Sequence, residues 1–228
     1  MYMVSEKLYD LSVEWDAWDG DGGELLESIP TELLDEGEIL YEQGGTPVEF
    51  SLIKTGKMEV AKYSPNADKT IIGIFGSGEP VGALAVINNF KYPARVTALQ
   101  DTIVYRISGD LVERIQQTFP GWFSECIGQT AVRMNDLADR FQSMTTKNVA
   151  GRLSQQLLQF AEKYGEQTEE GIKINTKLTR QMLADLVGCR VESAIRQLSQ
   201  WEQKGIIRTD QSVITITNPP QFRTLAGS

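Results

Sequence analysis

In the stretch LTRQMLADLVGCRVESAIRQLSQWEQKGII, Glu192 and Arg196 stand four residues apart, the spacing that places two side chains on one face of a helix. That pairing has two readings. An arginine can donate twice to guanine O6 and N7 while a glutamate accepts from cytosine N4, so the two could read a G·C pair in a major groove. They could equally form an i,i+4 ion pair on a solvated helix. Arg190, Val191 and Ser193 flank them and would share any groove they enter. Upstream, Thr179, Arg180 and Gln181 open a shorter helical segment, and that helix's unpaired N–H groups with these side chains suit phosphate contacts, which position a protein on a duplex without specifying sequence.

Local signals supply the elements that would hold these residues. Thr179 is an N-cap type, and Met182, Leu183, Leu186 and Val187 give the first helix a buried face. Gly188 allows a sharp turn. A second helix over about 190–204 buries Ala194, Leu198 and Trp201 and stops at Gly205. Helix, tight turn and helix, followed by IIRTDQSVITITN as a β-hairpin wing, form a helix-turn-helix pattern, and that context favours groove reading over the solvated ion pair.

Composition removes much other chemistry. With no histidine in 228 residues, there is no His-based triad, no zinc site with His ligands and no haem held by a proximal His. Cys126 and Cys189 are the only cysteines, too few for a disulfide framework or a four-thiolate cluster; each reads as a free thiol. No matched nucleophile, base or metal cluster suggests an enzyme. The net charge of −9 is unevenly spread, with 11 Lys+Arg against 8 Asp+Glu from Thr145 onward and 11 against 23 before it. The C-terminal part is thereby suited to a polyanion. The first residues carry neither a basic nor an apolar leader and no run is long enough to span a bilayer, so a cytoplasmic location is expected.

The remaining chain divides by pattern. Residues 1–27 form an acidic arm with Trp15 and Trp18, in which Asp16, Asp19 and Asp21 lack EF-hand spacing. Over 28–115, short β-rich runs punctuated by Gly, Pro and Asn imply an all-β sandwich or barrel. Over 116–145, Ile127, Ala131, Met134, Ala138 and Phe141, with Leu137 beside them, draw an apolar seam along one long helix. The seam packs either on its own β-domain or against a second copy across a two-fold axis. NVAGRLSQQLLQFAEKYG is a further helix, EQTEEG reads as a polar loop and IKINT as a strand. A domain boundary at 144–147 leaves 146–228 as the last domain.

Taken in order, GEILYEQG, IKTGKMEV, NVAGRL and LTRQ…VGCRVESAIR resemble the Crp/Fnr family of bacterial regulators over nearly the whole chain after residue 28. The resemblance implies an α+β protein: a double-stranded β-roll of the cyclic-nucleotide-binding type, a dimerisation helix carrying the seam, and a winged helix-turn-helix that binds two-fold symmetric promoter DNA, with RNA polymerase as a further partner. It also implies where an effector would sit. Gly82-Ala83-Leu84 stands where cyclic-AMP-binding members carry Gly-Glu-Leu, Tyr92-Pro93 where they carry Arg-Ser, and Leu137-Ala138 where they carry Thr-Ser. Three losses argue against cyclic AMP. Two readings stay open for the roll: another acidic metabolite held near Gly82, Lys91, Tyr92 and Arg95, and a roll with no effector. One cysteine in the sensor half cannot hold the family's iron–sulfur cluster; Cys126 is read as a structural thiol ahead of a redox switch. The second helix resembles the Fnr-like pattern, with Val191 in place of an arginine, which implies half-sites containing TGA preceded by T. The competing reading is an effector-binding module that acts through protein partners and binds no specific DNA.

Overall fold

The computed structural model describes residues 29–118 and 120–226. The acidic arm of 1–27 lies outside the described residues, as do the side chains of Cys126 and Ile127. The chain forms two compact units that divide between Asn135 and Asp136.

The first unit is built on two four-stranded antiparallel sheets. One has the order β1 (Thr31–Leu34), β8 (Thr102–Ser108), β3 (Glu49–Thr55), β6 (Pro80–Val81). The other has the order β2 (Ile39–Tyr41), β7 (Arg95–Ala98), β4 (Lys57–Tyr63), β5 (Lys69–Gly76). Alternation along β3 explains how one strand serves two cores. Ile53 points between the sheets with Leu34, Met58, Val96 and Val104, while Phe50 and Leu52 point outward to Ile29, Ile107 and Ile115. Ile115 belongs to helix α2 (Gly109–Thr118), so that helix covers the outer face of the first sheet. A five-residue helix, α1 (Ala83–Ile87), buries Ala85 in the inter-sheet core. This is the β-roll expected from the sequence.

Helix α3 (Pro120–Thr146) runs for 27 residues. On the first-unit side of the division, Arg133 forms an ion pair with the buried carboxylate of Glu79 and lies 4.3 Å over the Phe75 ring, tying α3 to the β5–β6 turn.

In the second unit, Asn148 caps α4 (Val149–Tyr164), its side chain accepting from the Gly151 N–H at 2.9 Å. Then follow β9 (Gly165–Thr168), β10 (Gly171–Ile174), α5 (Arg180–Val187), α6 (Val191–Gln203), β11 (Ile207–Asp210), β12 (Val213–Ile216) and α7 (Pro219–Ala226). The segment read as a polar loop is therefore largely strand, because β9 pairs antiparallel with β10 from Gly165↔Ile174 to Gly171↔Thr168. It is a sheet edge with mostly exposed side chains, so no alternation of apolar residues announces it. Helix α7 was also unread. Asn218 accepts from the Gln221 N–H, prolines occupy the first turn where a missing N–H costs nothing, and Phe222 is fully buried edge-on to Trp201 at 5.1 Å.

Candidate nucleic-acid interface

The helix-turn-helix is fixed by its caps. Thr179 Oγ1 accepts from the Met182 N–H at 3.1 Å, and α5 ends at Gly188 in the left-handed region (φ 64°). A Cβ there would be strained in φ and would lie 3.2 Å from Met144 Cε. The Cys189 N–H returns to the Ala184 carbonyl at 3.0 Å, and α6 starts two residues later. Arg152 braces this turn from α4. Its Nε donates to the Val187 carbonyl and its guanidinium to the Lys147 carbonyl, both at 3.0 Å, satisfying carbonyls that helix ends leave open. That role was not read from the sequence, since NVAGRL shows an arginine but not the carbonyls it meets.

Helix α6 buries Ala194, Leu198 and Trp201, as the pattern predicts. Its opposite side presents Glu192 and Arg196, both exposed, with Arg190 exposed at the N-cap and Val191 and Ser193 partly covered. No ion pair joins Glu192 to Arg196 among the described residues. The solvated i,i+4 pair is not formed, and both head groups point to solvent with their hydrogen-bonding capacity unspent.

The three residues read as phosphate contacts divide. Gln181 is exposed but bonds to Asp185 at 2.7 Å. Thr179 spends its oxygen on the cap. The Arg180 guanidinium pairs with Glu202 of α6 at 2.7 Å and reaches Thr209 Oγ1 of the wing at 3.3 Å. In this structure it is an internal strut holding α5, α6 and the wing together. The wing turns through Gln211 (φ 46°) and Ser212 (φ 67°), a two-residue hairpin turn normally given to Asn-Gly or Asp-Gly. Arg208 bonds both carboxylate oxygens of Glu170, at 2.7 and 2.8 Å. Cys189 is partly covered and burial pushes its thiol up, which suits packing.

In the roll, the residues read as effector contacts occupy different surroundings. The Tyr92 ring is buried and stacks on Tyr41 with centroids 4.3 Å apart and planes 15° from parallel. Its hydroxyl donates to the Glu49 carbonyl, and the Tyr41 hydroxyl shares a 2.7 Å bond with Ser51. Burial raises both phenol pKa values. Gly82, at φ 82°, lies under these rings: a Cβ on it would be 3.0 Å from Tyr41 and 3.1 Å from Tyr92. Arg95 turns to Glu42 (2.9 Å) and over the Tyr63 ring (4.6 Å). Ala83 packs against the outer core, whereas Leu84 and Lys91 are exposed. Thus Gly82 and Tyr92 meet, but as parts of a filled core. On α3, Ala131, Met134, Leu137, Ala138 and Phe141 are all exposed, with Met134 and Phe141 each 72% accessible.

A β-roll and a winged helix-turn-helix with an unspent acidic-basic pair on its second helix define a DNA-binding regulator with a sensor-type domain, and comparison with known proteins agrees. A family described as "Cyclic nucleotide-binding domain" matches residues 31–119, and one described as "Crp-like helix-turn-helix domain" matches 151–225. The chain is 26% identical over 191 residues to the anaerobic regulatory protein of Bacillus subtilis, covering 83% of this chain and 80% of that one. It is 20% identical over 182 residues to a CRP-like cAMP-activated global transcriptional regulator of Mycobacterium tuberculosis, covering 80% and 81%. A solved structure of a CooA variant from Carboxydothermus hydrogenoformans shares the fold, with a TM-score of 0.77, 18% identity and 95% of each chain covered. The chain belongs to the Crp/Fnr family of transcription regulators. No helix among the described residues is long and apolar enough to cross a membrane.

Proposed function

We propose that the protein binds two-fold symmetric promoter DNA as a homodimer, reads a TGA-containing half-site with each copy of α6, and does so without cyclic AMP. It acts by binding rather than catalysis. The exposed, mutually unpaired Glu192 and Arg196 carry this reading: a buried carboxylate or guanidinium must find a partner, whereas these two are free to meet a G·C pair. The seam on α3 supports dimerisation, because exposed apolar side chains at helical spacing gain by covering one another. The stacked Tyr92 and Tyr41 rings support independence from cyclic AMP, since the roll interior is filled by its own side chains and Arg95 is committed to Glu42. With no histidine and one sensor-half cysteine, the reading requires neither His-ligated haem nor an iron–sulfur cluster. RNA polymerase is the expected partner at the promoter.

Binding-site selection with the purified full chain tests the proposal, repeated with and without cyclic AMP. The expected result is a palindrome with TGA in each half, salt-sensitive affinity, and an unchanged consensus and affinity when cyclic AMP is added. No enrichment over random duplex, even at low salt, would overturn it.

A further inference from the structure

Ile195 is the one large apolar residue exposed in the second unit away from α3 among the described residues, at 45% accessibility. It follows Glu192 by three and precedes Arg196 by one. With about 100° of rotation per residue, it lies beside the Glu192–Arg196 face and one turn from Val191, which is partly covered. An apolar edge, Val191 and Ile195, thus runs along the polar pair. A lone exposed isoleucine needs no explanation by itself. This one is β-branched, which lowers helix propensity and fixes χ1, and it stands on the helix face that the proposed function turns to DNA.

We infer that Ile195 is a specificity-determining residue that packs on the C5 methyl of a thymine in a base pair flanking the guanine read by Arg196. The inference rests on the DNA-reading assignment above and extends it from polar to apolar recognition. Thymine presents the one methyl group in the major groove. In TGA both neighbours of the guanine supply one: the thymine preceding it, and the thymine opposite the adenine that follows. The rise of 1.5 Å per residue on the helix against 3.4 Å per base step on the duplex keeps Ile195 within one step of the base pair met by Arg196. A side chain already fixed at χ1 loses little freedom on contact, so methyl burial is opposed by little ordering.

The test uses the selected duplex and the full chain. Each thymine flanking the guanine is replaced in turn by deoxyuridine, which removes only the methyl group. One of the two replacements is expected to weaken wild-type binding about fourfold per half-site (~0.8 kcal/mol, the burial of one methyl-sized group), and about fifteenfold when made in both half-sites. Ile195→Ala is expected to bind the thymine and deoxyuridine duplexes equally, with a consensus that relaxes only at that position. Wild-type affinity unchanged by deoxyuridine at both places would overturn the inference while leaving the DNA-reading assignment intact. If selection enriches no duplex, the assignment fails and the inference falls with it. The wild-type comparison needs no variant, so misfolding cannot obscure it.

Discussion

Replacing Tyr92 by alanine should open the inter-sheet core of the roll and leave the DNA-binding unit unaffected. The ring is 5% accessible, stacks on Tyr41 at 4.3 Å, and closes over Gly82. Truncating a buried aromatic costs about 3–5 kcal/mol, transfer and cavity together. Tyr92→Phe keeps the stack and loses only the hydroxyl bond to the Glu49 carbonyl; with Glu49 itself partly accessible, that loss should be about 1 kcal/mol. Hydrogen exchange read by mass spectrometry separates the two units. Where exchange requires opening of the roll, amides of β2, β4 and β7 in Tyr92→Ala should exchange roughly a hundredfold to several thousandfold faster, given tenfold per 1.36 kcal/mol. Tyr92→Phe should show roughly fivefold, and peptides from α5 and α6 no change. Cyclic AMP provides the functional arm of the assay. A ligand at a hundred times its Kd would add about 2.7 kcal/mol and slow these amides about a hundredfold, whereas millimolar cyclic AMP should leave wild-type rates as they were. Unchanged roll protection in Tyr92→Ala would refute the packing argument, and protection of the wild type by cyclic AMP would refute the filled-core argument.

Four further outcomes follow from named contacts. Phe141→Asp places a charge on the exposed seam of α3 and should shift sedimentation from dimer to monomer at micromolar concentration; an unshifted dimer would move the interface elsewhere. Glu79→Ala leaves the partly buried Arg133 without its carboxylate and should cost about 3–5 kcal/mol in urea unfolding of the roll, while a loss under 1 kcal/mol would show that Arg133 re-hydrates freely. Thr179→Ala removes the cap on α5 and should destabilise the DNA-binding unit by about 1 kcal/mol, read from Trp201 fluorescence in a background with the other tryptophans replaced. Alkaline titration should show Tyr41 and Tyr92 resisting ionisation. Their folded pKa values are raised, so the folded state holds protons that the unfolded chain releases near pH 10. The stability they contribute is therefore complete below pH 10 and lost as pH rises beyond it, and ultraviolet absorbance showing all seven tyrosines ionising together near pH 10 in folded protein would contradict the burial.

The helix-turn-helix was legible because its signals are local. A capping threonine, a glycine at the turn and apolar residues at 194, 198 and 201 announce themselves within a few residues, and each occupies the place its chemistry suggests. Alternating runs gave the roll for the same reason. What escaped depends on residues that meet only after folding. Tyr92 reads as a candidate ligand contact in sequence, and only the fold shows that its environment is set by Tyr41 on strand β2 and by Glu49. Arg180 reads as a phosphate contact, and its pairing with Glu202, 22 positions away, is visible only in the fold. Strand β9 has no apolar alternation and exists because β10 pairs with it. Ile195 passed as one more helix residue, since neither its exposure nor its neighbours on that face can be read from residue type alone.

The central claim is that each copy of α6 reads a G·C pair through Arg196, and quantitative binding to the selected palindrome tests it most directly. Arg196→Ala should lose about 1–3 kcal/mol per half-site, or roughly thirtyfold to twenty-five-thousandfold for the dimer, while affinity for random duplex falls far less. Equal affinity of Arg196→Ala and wild type for that palindrome would contradict it.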